Sequence, residues 1–234
     1  MAAKEKDFFA SRKLERLYAE YDLNDVIDRR KYNGIMGGVV VYGLVFNLIL
    51  CKAVPNVYDY INPLVFFILY LALAIGGTVI SARSDNPIMS FIGYNMVVVP
   101  SGLVVSTAVQ VYGGLESEIV SQAFLYTVLI AGIMIAASIA WPDVFESMGK
   151  FLFIGLIAVV IGSFIGIFIS GIMNVVSWIG ALIFSLYIGY DFYKAQQYTP
   201  TLDNAVDCAL DIYLDIINLF LHLLRILGRG SNRD

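Results

Sequence analysis

TPTLDNAVDCALDIYLDIINLFLHLL (residues 199–224) reads as a membrane helix, yet it carries Asp203, Asp207, Asp211 and Asp215, an acid at every fourth position. A carboxylate at the middle of a bilayer costs at least about 2.5–3.5 kcal/mol on insertion scales. Such a segment is tolerated only where its acids face protein. Steps of four residues advance about 40° around a helix, so the ladder winds through roughly 120° and climbs about 18 Å. That spread is too long for one compact metal site. The ladder divides by depth. Asp203 and Asp207 stand at the helix start, where a carboxylate caps free N–H groups and faces the positive end of the dipole. Asp211 and Asp215 lie one to three turns deeper, amid apolar neighbours, where ionisable groups mark function by default.

The rest of the chain makes the membrane the main solvent. Of 234 residues, 59% are hydrophobic and only 15% charged, against roughly 45–50% and 25% in a soluble domain; mean hydropathy is +0.77. The apolar residues gather into runs at 34–54, 62–82, 88–112, 119–141, 151–172, 174–193 and 207–227. Each approaches the roughly 20 residues that cross a hydrocarbon core. The expectation is an all-α integral membrane protein, a seven-transmembrane-helix bundle. Its domains are a charged cytoplasmic tail over residues 1–33, a transmembrane domain over 34–228, and a short polar tail over 229–234. Because the chain opens on polar residues, no signal peptide is expected.

Lys and Arg set the orientation. With the N-terminus in the cytoplasm, that side holds eight in the tail plus Arg83, Lys150 and Lys194. The far side holds Lys52 and, if the seventh span crosses fully, Arg225, Arg229 and Arg233. The bias favours a cytoplasmic N-terminus, while the last three arginines leave open a re-entrant seventh span. The membrane is the plasma or inner membrane in a bacterium, or an endomembrane in a eukaryote.

Composition also narrows the chemistry. A single histidine, His222, cannot build a histidine-rich metal centre. Cys51 and Cys208 lie in apolar segments and read as buried thiols. No catalytic constellation stands out, no tightly bound cofactor is implied, and nothing suggests nucleic acid. Small residues in GIMGG (34–38), AIGG (74–77) and at Gly155, Gly162 and Gly166 read as close-packing faces. Asn47, Asn174 and Asn218 are expected to bond across helices.

A deep carboxylate needs a partner. Asp191, in LIFSLYIGYDFYKAQQ (182–197), is the other acid well inside an apolar span. The sixth and seventh spans are antiparallel neighbours, so Asp191 can meet Asp215 or Asp211 across their interface. Two carboxylates in contact in low dielectric share a proton and titrate as a coupled pair, a proton switch. Arg83 is a candidate cation to compete for these acids, or else an interfacial arginine that snorkels to the headgroups.

At these residues the sequence resembles the Bax inhibitor-1 family, the transmembrane BAX-inhibitor-motif (TMBIM-like) membrane proteins. The carrying segments are GALIFSLYIGYDFYKAQQ (180–197) and ALDIYLDIINLFLHLLRILG (209–228), with support from the region 81–103. The resemblance implies six helices surrounding a central C-terminal helix. It further implies a pH-sensitive calcium leak channel in which Asp191 and Asp215 are proton sensor and gate and Arg83 is a latch. The same two aspartates would offer oxygens transiently to Ca²⁺, the transported ion. Asp211 is an additional acid where relatives carry a small or neutral residue, and span 3 offers Ser101 in place of an acid. The leading expectation is thus ion transport, with the lipid bilayer, Ca²⁺ and H⁺ as partners. The alternatives are a non-conducting scaffold that regulates stress or cell-death responses through partner membrane proteins, and an intramembrane aspartyl protease. Against the protease, no Gly-x-Gly precedes Asp215 to open the backbone for substrate.

Overall fold

The computed structural model describes residues 25–54, 56–169 and 171–230. Its α-helices are α1 (Arg29–Ala53), α2 (Pro63–Arg83), α3 (Pro87–Val111), α4 (Glu118–Ala140), α5 (Pro142–Ser147), α6 (Gly149–Phe168), α7 (Ile172–Gln197) and α8 (Leu202–Gly230), with a 3₁₀ turn at Val57–Asp59. Six of them, α1 to α4, α6 and α7, are long and apolar enough to cross a membrane. The protein is an all-helical, multi-pass integral membrane protein.

Local chemistry explains most boundaries. Two Asn-Pro pairs start helices: Asn62 caps the N–H of Leu64 and Asn86 that of Ile88, each at 2.9 Å. Proline follows at the first helical position, where its missing N–H has no partner to lose. Asp28 caps α1 by accepting from the N–H groups of Arg30 and Lys31. The helix therefore begins at Arg29, ahead of the apolar run expected from residue 34; residues 1–24 of the expected tail lie outside the described ones, as do 231–234. The stretch after Trp141, expected as a connection, is the short helix α5.

The outward faces are built for lipid. Phe153, Ile154, Phe164 and Phe168 of α6, and Leu64, Val65 and Ile68 of α2, are exposed. The opposite holds for α8, where only Leu202 and Arg229 are exposed among Leu202–Arg229. Its packing is uneven: α7, α1, α3 and α4 form most of the wall around it. Helix α2 reaches it through Ser81, and α6 packs mainly on α7.

Glycines set how close these helices come. An added Cβ at Gly155, Gly162 or Gly166 of α6 would stand 2.4 Å from Ile183, 2.7 Å from Val176 or 2.9 Å from Met173. These three form the expected packing face, and it seats α7. The GIMGG glycines do not behave this way: a Cβ at Gly34, Gly37 or Gly38 meets nothing within 4 Å. Gly43 has the role on α1, since a Cβ there would run into the Tyr94 hydroxyl and the Tyr213 ring.

Candidate functional site

The acid ladder of α8 is held in two groups. The N-terminal group bonds across helices. Thr201 caps the helix, its Oγ1 accepting from the N–H of Asn204 at 3.1 Å. Asp203 and Asp207 instead turn sideways. The Ser90 hydroxyl of α3 donates to Asp203 Oδ1 at 2.6 Å, and the Ser81 hydroxyl of α2 donates to Asp207 Oδ1. Asp207, 4% exposed, is as buried as the hydrophobic core. Asp207 stands past the first turn, beyond the free N–H groups, and reaches α2 instead. Asp203 does stay in the first turn, where the helix dipole favours an acid.

The deeper group lies on the α7–α8 seam. Asp191 and Asp215, both buried, stand on facing helices, and Asp215 is within hydrogen-bonding reach of Asp191. Asp211 and Lys194 border the same carboxyl group. Lys194 Nζ donates to Asp191 Oδ1 at 2.9 Å across one turn of α7, with its ammonium 5.2 Å from the centre of the Tyr190 ring. The Asp215 Oδ2 atom is buried with no hydrogen-bond partner. The seam thus collects three carboxyl groups and one ammonium, an arrangement in which one added or lost proton changes the balance of charge.

Arg83 sits in the last turn of α2, exposed, two residues past Ser81. The cation paired with Asp191 is Lys194, which the reading of the sequence used only for orientation. Its signal was present: Lys194 follows Asp191 by three residues, the spacing at which helix side chains meet. Ser81 and Ser90 carried no comparable signal, since each bonds a residue more than a hundred positions away.

Around the cluster, polar groups are matched across helices. The Asn47 amide of α1 donates to the Tyr213 hydroxyl of α8 at 2.8 Å, as expected for Asn47. Asn218 departs from expectation, its amide donating to the Leu214 carbonyl of its own helix. Cys208 is buried and Cys51 half-buried; Cys208 accepts from the Tyr32 hydroxyl at 3.3 Å. Ser101 is buried with its hydroxyl unpartnered. Among the described residues, no group of three or more His, Cys, Asp or Glu side chains is arranged to hold a metal ion.

Comparison with known proteins agrees with this architecture. The family model described as inhibitor of apoptosis-promoting Bax1 matches residues 23–233. The chain belongs to the Bax inhibitor-1 family. The match takes in every described helix, from α1 to α8. Among individual relatives, an uncharacterized protein of Campylobacter jejuni is 40% identical over 121 residues, 49% of this chain and 50% of that one. An uncharacterized protein of Helicobacter pylori is 36% identical over 115 residues, 48% of this chain and 49% of the relative. An uncharacterized membrane protein of Vibrio cholerae is 33% identical over 118 residues, 50% and 52% of the two chains. Each alignment therefore spans about half the length of the relative.

Proposed function

We propose that this protein is a pH-sensitive leak for cations, calcium foremost, gated by Asp191 and Asp215. The observation that carries the reading is the meeting of these two buried carboxyl groups across the α7–α8 seam. In this reading α8 is the seventh span. Its 29 residues correspond to about 43 Å of helix, enough to cross a bilayer. The N-terminus and the acid cluster then face the cytoplasm.

With one shared proton, the pair ties α7 to α8 and keeps that end closed, and Lys194 supplies compensating positive charge. Loss of the proton leaves two anions in contact. Two like charges at 4 Å repel by on the order of 4 kcal/mol at an effective dielectric near 20. That is enough to bias a two-state arrangement of helices appreciably. The parted seam exposes carboxylate oxygens, which suit a hard cation such as Ca²⁺ as cargo. Arg83, at the rim beside Ser81, acts as an outer latch on the same end.

The test is calcium-dye flux in proteoliposomes between about pH 6 and pH 8, where a coupled carboxyl pair of this kind can titrate. Asp215→Asn and Asp191→Asn are each expected to remove most of the pH dependence, because neither leaves two charges to repel. If both variants keep the wild-type profile, the gate is wrong. If the wild type carries no flux at any pH, the scaffold reading takes its place.

A further inference from the structure

The seam has a further ionisable residue that the gate does not use. His222 lies on α8 seven residues past Asp215, on the same helix face and about 10 Å further along the axis. It is 6% exposed, and its Nδ1 has no hydrogen-bond partner. The imidazole stacks on Phe184 of α7, with centroids 5.6 Å apart and planes inclined by 23°. On its other side it fills the space over Gly180, where an added Cβ would stand 2.4 Å from Cε1 and Nε2. Leu219 and Ile188, both fully buried, share the apolar cluster between this ring and the acid pair.

The charged surroundings of His222 are one-sided. On its own helix, Arg225 is the charge that bears on it, with Arg229 a turn further on. Helix α7 contributes Asp191 and Lys194, two turns or more from Phe184, and the half-buried Tyr187, whose ring centroid lies 6.3 Å from that of Phe184. The buried faces of α1 and α3 contribute Tyr32 and Tyr94, and that of α4 contributes none. Tyr94 packs on Tyr213, more than two turns before His222, and Tyr112, at the end of α3, lies beside Arg225.

We propose that His222 is a second proton-binding site, at the end of the α7–α8 seam opposite the acid cluster, and that its protonation parts the two helices there. The neutral ring suits its place, stacked on Phe184 and pressed against the Gly180 backbone. An imidazolium in the same place would add a cation one turn from Arg225, with no carboxylate facing it among the described residues and both N–H groups needing acceptors. Separation of α7 from α8 at Gly180 admits water to the ring and relieves both costs. A proton taken from the aqueous phase at this end therefore favours the open seam, whereas at the acid end it is loss of a proton that does so. The two sites, about 10 Å apart along α8, respond to opposite changes of pH.

This inference rests on the leak reading for its effect on flux, and the experiment separates the two. Full-length protein in proteoliposomes is assayed for calcium flux with each compartment acidified in turn. In Asp215→Asn, which silences the acid pair, acidifying the compartment at the arginine end is expected to raise flux about tenfold, a modest population shift. Adding His222→Phe, which keeps the stack on Phe184 but cannot take a proton, is expected to abolish that response. An equal response in both variants overturns the proposal and leaves the acid gate standing; a wild-type profile in Asp215→Asn overturns the gate instead. A measurement on the unaltered chain covers the case of a variant that folds poorly. His222 is the chain's single histidine, so ¹⁵N-histidine labelling gives one resonance set. Conversion to imidazolium as the medium is acidified supports the site; an imidazole that stays neutral while flux rises overturns it.

Discussion

Gly93→Ala tests how the packing of two peripheral helices holds the acid cluster in place. Gly93 of α3 and Gly77 of α2 are mutual contacts: a Cβ on either would stand 2.5 Å from the carbonyl oxygen of the other. At Gly93 the added carbon would also stand 2.8 Å from the Ser81 backbone nitrogen. These are backbone atoms, so no side-chain rotation relieves the clash, and α2 must move away. Overpacking of this kind costs about 1–3 kcal/mol, and in a chain of this size each kcal/mol lowers the melting midpoint by about 2–4 °C. The displacement falls on Ser81, which donates to Asp207, so the bond across α2 and α8 is expected to weaken as well. Thermal melting of purified protein in detergent measures the first effect. Gly38→Ala is the control, since nothing lies within 4 Å of a Cβ there and the helical preference for alanine favours it by about 0.5–1 kcal/mol. A Gly93→Ala midpoint equal to that of wild type, or a Gly38→Ala midpoint falling as far, would refute the close-approach argument.

Three further outcomes follow from the acid cluster. Ser81→Ala removes the hydroxyl that donates to buried Asp207, and a loss of about 1.5–3 kcal/mol is expected in denaturation experiments, the range for hydrogen bonds to charged groups. Lys194→Met removes the ammonium 2.9 Å from Asp191; with less positive charge to favour ionisation, the flux transition is expected at higher pH, and an unmoved midpoint counts against Lys194 as the compensating charge. Asp211→Ser removes a neighbouring acid from Asp215, so the second ionisation becomes easier and the transition is expected at lower pH in the same flux assay.

Much of the fold was legible because the bilayer leaves few solutions. Long apolar runs without room for a soluble domain can form only a helical bundle, and six of the seven expected spans coincide with helices apolar enough to cross. The seventh does not meet that standard of apolarity, and the reason is the acid ladder that made it notable. Shielding within the protein replaces hydropathy there: from Asp203 to Gly228 no residue of α8 is exposed. Packing was legible where small residues repeat along a face, as on α6, and misleading in GIMGG, where composition alone cannot say which way a glycine points. Gly93 lay within a recognisable segment but gave no hint that its partner would be Gly77.

Partners were harder to read than positions. Asp191 and Asp215 could be brought together from the sequence because adjacent antiparallel helices pair residues at a nearly fixed sum of positions. Asp203 and Asp207 could not be matched to Ser90 and Ser81 by the same rule, since α2 and α3 are distant in the chain and serine is common in membrane interfaces. The difference bears on mechanism. The serine-held acids join α8 to α2 and α3, each accepting from a hydroxyl on a helix distant in the chain. At the seam, carboxyl faces carboxyl with a lysine alongside, and in the proposed gate one proton there changes the interaction between two helices. A ladder of identical residues is thereby divided by what each rung faces, hydroxyls of α2 and α3 for the first two and the α7–α8 seam for Asp215, and it is at that seam that the proposed gate would move.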